Sequence, residues 1–168
     1  MTPTPALLPT PALRLALVLA LGLVGLLGMV DQASGQPLAA QARQDLSFGE
    51  LLGGLAERVR PDDGARAGQF RIRGANRTVE LTFHLPEVLE GPGGATIPLR
   101  FGEGDGHFEP SGGDPRQAFD PSRPITLSLP GPPPWHWIHL GGTALPAASV
   151  SLGSYSGTVG LTVADLAN

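Results

Sequence analysis

The chain of 168 residues contains no cysteine, no lysine and a single tyrosine, and only 15% of it is charged. Without cysteine there is no disulfide, no thiolate metal site, no cysteine nucleophile and no lipid-anchoring N-terminal cysteine. Without lysine, all 11 basic residues are arginine, against 15 acids, for a formal charge of −4. That balance argues against a general nucleic-acid binder, because phosphate recognition wants a basic stripe. Several catalytic signatures are also missing. The sequence has no P-loop, no dinucleotide fingerprint and no HExxH. Gly153-Ser154-Tyr155-Ser156-Gly157 resembles a nucleophile elbow but places tyrosine where serine is required.

Glycine and proline, 24 and 18 residues, make up a quarter of the chain, which borders on low complexity. Yet 41% of the residues are hydrophobic, too many for a disordered chain. Leu15 to Val30 form the longest apolar run, 16 residues behind Arg14 and the amino terminus. A bilayer span needs about 20 such residues. The run therefore reads as a signal-peptide core, with small residues Ala33-Ser34-Gly35 before a cut at Gln36. Ala40-Gln41-Ala42 offers a second site before Arg43. The expected organisation is a signal peptide over 1–35, an extended segment over 36–44, and one domain over 45–168. A mature chain of about 133 residues suffices for one small core.

That domain reads as all-β. Phe70 and Ile72 alternate with Arg71 and Arg73, and Val79, Leu81, Phe83 and Leu85 alternate with Glu80, Thr82 and His84. Ile97, Leu99 and Phe101, then Ile125, Leu127 and Leu129, repeat the pattern, and Tyr155 to Val163 closes it. Period two places apolar groups on one face, as half-buried antiparallel strands require. Turn chemistry at Pro61–Gly64, Gly74–Asn76, Gly91–Gly94 and Pro130–Pro134 separates the runs. Many short strands with such turns predict an antiparallel β-sandwich. Pro98 cannot donate to a ladder, so its strand is expected at an edge. Gly49 to Val59 is the one stretch with room for a helical turn, and Gly53-Gly54 opposes it. Residues 102–123 read as a long surface loop with solvated charges and a short strand near Gln117 to Phe119.

Leu46-Ser47-Phe48-Gly49-Glu50, the stretch Ala67 to Gly74, Leu140-Gly141-Gly142-Thr143 and the closing Gly153 to Val163 occur in an order that resembles a bacterial exported family. That family is domain of unknown function 4402, related to spore-coat-U-type and fimbrial subunits. The similarity spans about residues 45–164, and Gly-x-Tyr-x-Gly-Thr-x-x-x-Thr-Val is its most specific part. It implies an immunoglobulin-like or pilin-like sandwich.

The functional expectation is an exported, non-enzymatic structural subunit of a fimbria-like or surface-coat assembly. It would reside in the periplasm, at the cell surface or outside the cell. Its partners would be copies of itself, other surface subunits or a periplasmic chaperone, joined by β-strand addition. No cofactor, metal or nucleic acid is expected, and the membrane enters only during export. Leu38, Ala40 and Ala42 share one parity of the extended segment and are the candidate strand-donor residues. If that segment completes its own sheet, it is no donor, and the protein can stand as a self-sufficient monomer. The alternative is a periplasmic or cell-surface module that binds a carbohydrate or protein. Trp135 and Trp137, on one face of a strand, would make its ligand contact or else cover the end of the sandwich. His136 and His139 lie three apart, on opposite strand faces, and make a poor metal pair.

Overall fold

Twelve β-strands and one 3-10 turn at Pro92–Gly94 are the regular elements of the computed structural model, which describes residues 37–74, 76–111, 115–131 and 135–166. The expected leader and its preferred cleavage site lie outside these residues, as do Asp114 and residues 132–134. Every strand pair is antiparallel. One sheet has the order β1 (Ala39–Gln44), β3 (Gly68–Arg73), β10 (His136–Leu140), β7 (Gly106–Glu109) and β8 (Gln117–Phe119). A second has β2 (Glu57–Val59), β11 (Gly142–Ala144), β6 (Thr96–Arg100) and β5 (Val88–Glu90). The third has β12 (Gly160–Asp165), β4 (Arg77–His84) and β9 (Ile125–Leu129).

The five- and three-stranded sheets form the sandwich. Val79, Leu81 and Phe83 of β4 and Leu127 and Leu129 of β9 face Ile72, Phe108, Ile138 and Leu140 from the larger sheet. These residues show the period-two burial expected of half-buried strands. The Phe83 ring meets Phe70 edge-on at 5.8 Å and stacks on Phe119 at 6.0 Å, tying the layers together.

Gly141 joins β10 to β11 and transfers the chain from the five-stranded to the four-stranded sheet. A Cβ on Gly141 would lie 2.4 Å from the Val59 carbonyl oxygen, and one on Gly142 would lie 2.7 Å from the Phe101 ring. The double glycine is thus a corner where neither residue has room for a side chain.

Three expectations are corrected. Pro98 lies on β6, an interior strand between β11 and β5. Leu99 donates to Glu87 at 2.8 Å, so the adjacent Pro98 nitrogen faces the opposite way, toward the β11 side. There β11 ends at Ala144, and Pro98 has only to accept the Leu145 N–H, at 2.9 Å. The β11–β6 ladder thus ends at the residue that cannot return a hydrogen bond.

Second, residues 102–123 are not one loop. They contain β7, paired with β10, and β8, paired with β7. Phe108 and Phe119 enter the core, and Asp105 is buried rather than solvated. Its carboxylate accepts from Arg58 Nη2 and from the Gly102 N–H, both at 3.0 Å. The expected strand at Gln117–Phe119 is present.

Third, the closing run is two pieces. Ser156 exchanges backbone hydrogen bonds with Glu90 of β5, whereas β12 begins at Gly160 and pairs with β4. The alternation continues through a change of sheet, which pattern alone cannot reveal.

Candidate functional site

The extended segment forms β1 and pairs with β3 of its own chain. Ala40 sits opposite Ile72, and Ala42 opposite Phe70. The register slips between Ala42 and Gln44, where the sequence parity also breaks. Gln44 Nε2 instead donates to the carbonyls of Ala67 at 2.8 Å and Gly64 at 3.2 Å. Leu38 is half-buried against the main core, while Ala40 and Ala42 are exposed. The second cleavage site, before Arg43, falls inside this strand.

Beside β1 the molecule is open. A groove runs between residues 42–52 and 150–159 as two connected chambers of about 850 and 290 Å3. Asp45, Leu46, Phe48, Leu89 and Gly157 line both chambers. The floor is apolar: Ile97 lies under the larger chamber, and Phe70, Leu99, Phe101 and Leu140 lie under the smaller. Among the described residues no backbone hydrogen bond crosses from one wall to the other. Leu52 and Leu152, at 67% and 97% exposure, stand on the rim.

Of the end strands of the two sandwich sheets, β1 borders this groove through Ala42 and Gln44. β1 has only β3 as neighbour, and β12 has only β4. The Tyr155 ring contacts Gly91, where a Cβ would lie 2.4 Å from it, and its hydroxyl donates to the Ser151 carbonyl at 2.8 Å. Tyr155 therefore shapes a wall. Gly157 leaves space for Pro86 and the Val88 carbonyl, each 3.2 Å from the position a Cβ would take.

The second feature is the solvent face of the five-stranded sheet. His136, Ile138 and Leu140 of β10 are buried, whereas Trp137 and His139 point to the other side, as alternation requires. Trp135 precedes the strand, half-buried, with the Arg71 and Arg73 guanidinium carbons 4.2 and 4.9 Å from the indole centroid. Trp137 stacks on His139, centroids 6.4 Å apart and planes 26° apart. The tryptophans thus lie on a sheet face and do not cover the end of the sandwich. β7 brings His107 opposite His139 and Glu109 opposite Trp137. Glu109 Oε2 accepts from Arg116 Nε at 2.8 Å and lies 3.5 Å from His139 Nε2, too far for a well-formed hydrogen bond.

Burial pushes the His139 imidazole below its ordinary value, with Glu109 opposing and Arg116 and His107 reinforcing the shift. Burial alone lowers His136, whose Nδ1 accepts the Ser111 N–H at 3.0 Å. Nδ1 is therefore the unprotonated nitrogen, and the neutral ring carries its proton on Nε2. Among the described residues no three His, Cys, Asp or Glu side chains are arranged to hold a metal ion.

The sequence marks the tryptophans as candidates and gives no role to Arg71 or Arg73. The alternation of the arginines with Phe70 and Ile72 marks them as outward-facing. Which strand lies beside them is a matter of strand order, and no local pattern carries it. No family model, no curated protein and no solved structure matches the chain.

Proposed function

We propose that the chain is an exported, non-enzymatic structural subunit of a fimbria-like or surface-coat assembly, associating by β-strand addition. The observation that supports this reading is the open groove with an apolar floor between residues 42–52 and 150–159. A strand laid there gains main-chain partners along an edge and buries alternate side chains in the chambers. The chain acts as acceptor. Its own β1 is already hydrogen-bonded to β3, and Ala40 and Ala42 are too small to fill chambers of this size. The donor is an extended strand with large apolar groups at alternate positions, supplied by another surface subunit or, during export, by a chaperone.

The test uses surface material sheared from the native host and run on a denaturing gel without boiling. Probed for this chain, a ladder of bands heavier than the monomer is expected, spaced by the mass of the donor subunit, and boiling should collapse it to the monomer band. Ala42→Arg, which puts a charged side chain at an exposed position on the groove wall, should remove the ladder and leave the monomer folded. A single monomer band without boiling overturns the proposal. The alternative, a surface binding module, is supported by a different feature, the tryptophan and arginine face of β3 and β10.

A further inference from the structure

Arg71 and Arg73 are two residues apart on one face of β3, and both guanidiniums converge on the Trp135 indole. Neither has a carboxylate partner among the described residues. This is notable in a chain where acids outnumber arginines 15 to 11. Arg71 donates from Nε at 3.1 Å and Nη2 at 2.8 Å to the neutral Gln41 Oε1. That contact fixes the plane of the fork without neutralising it. Arg73 Nε is buried with no hydrogen-bond acceptor. Two like charges held together suit an oxyanion, which guanidinium forks bind in bidentate fashion through their outer nitrogens.

Trp137 is directly opposite Arg71 across the β3–β10 ladder and is braced by His139. An indole presents a flat apolar surface that suits the face of a sugar ring. Cation pair and platform therefore lie side by side on a sheet face.

We propose that this face binds an acidic polysaccharide. Arg71 and Arg73 take a carboxylate or sulfate on one sugar, and Trp137 carries the ring of the next. Two guanidiniums without carboxylate partners match one acidic group of such a polymer. A nucleic acid would bring a long row of phosphates, and two guanidiniums make no basic stripe to meet it.

The test is titration of the protein purified from its native host, followed by tryptophan fluorescence and calorimetry. The probes are polygalacturonate, heparin, a neutral glucan and oligo-dT. Binding to polygalacturonate or heparin is expected, weakening as salt rises, with little to the glucan. Preference between the two polymers distinguishes carboxylate from sulfate. Arg71→Gln with Arg73→Gln should lower affinity about tenfold or more, the size of a lost charge-assisted pair. Should that double variant fail to fold, Trp137→Ala and Arg71→Lys serve, each expected to weaken binding with an unchanged circular dichroism spectrum. Absence of binding to both acidic polymers at low salt overturns the proposal. So does unchanged affinity in the folded variants, or tighter binding to oligo-dT. The assay reads a single chain and needs no polymer, so its failure leaves the strand-acceptor proposal untouched, and the reverse holds too.

Discussion

The described residues form two apolar clusters, and they are finished differently. The main core lies between two sheets whose inner faces meet, and Ile72, Val79, Leu81 and Ile138 are fully buried there. The second cluster, Phe48, Val59, Ala67, Ile97 and Ala144, is bordered by Leu46, Leu51, Leu89 and Leu99, which remain half-exposed along the groove. The first is built from alternating strands, whereas the second also takes Phe48 and Ala67 from segments outside the strands. What differs is whether a second layer covers the apolar face. A face without a covering layer is not a packing failure in itself. On the proposed reading it is the surface that a donated strand would cover.

The comparison is broken most strongly in the main core. Ile138→Ala should destabilise the fold by about 2–5 kcal/mol, the range for truncating a buried aliphatic, measured by urea denaturation. Asp105→Ala comes next, at about 1–3 kcal/mol, because it strands the Gly102 N–H and leaves the Arg58 guanidinium unpaired. Acid sharpens the contrast from the inner face of β10. His136 is held below its ordinary value of 6.5 by burial, so the unfolded chain binds the proton more readily than the folded one. Stability is fully present above pH 6.5 and is lost as the pH falls through that value toward the lower folded one. His139 adds a change of the same sign. His136→Gln should flatten the dependence of urea midpoint on pH between about 7 and 5.

The smallest effect is expected at the groove. Leu46→Ala should cost less than about 1 kcal/mol in the isolated chain, since its side chain is only partly removed from water. The same variant should lose the boiling-sensitive ladder. A loss of stability as large as that of Ile138→Ala would mean that the groove belongs to the core after all.

Much of the sandwich is legible in the sequence because burial on one face imposes period two directly on the residues. Val79, Leu81 and Phe83, and then Leu127 and Leu129, occupy the positions that alternation assigns them. His136 and His139 likewise separate to opposite faces. Where glycine and proline crowd the chain, the pattern is lost. β7 hides within Gly102 to Arg123 because its Gly106 is small for a local reason: the Phe119 ring comes within 2.3 Å of where a Cβ would be. Tyr155 to Val163 alternates as if it were one strand, although it serves two sheets in turn.

The sequence by itself determined the fold class, the inward residues of the long strands and the absence of thiol chemistry. These follow from the nature of each residue and its near neighbours. Tertiary structure alone decided which strands became neighbours. It brought Arg71 and Arg73 to Trp135, His107 to His139 and Arg58 to Asp105, and it left the groove beside β1 uncovered. Strand order depends on how apolar faces from distant segments close on one another, and a local repeat carries no record of the partner.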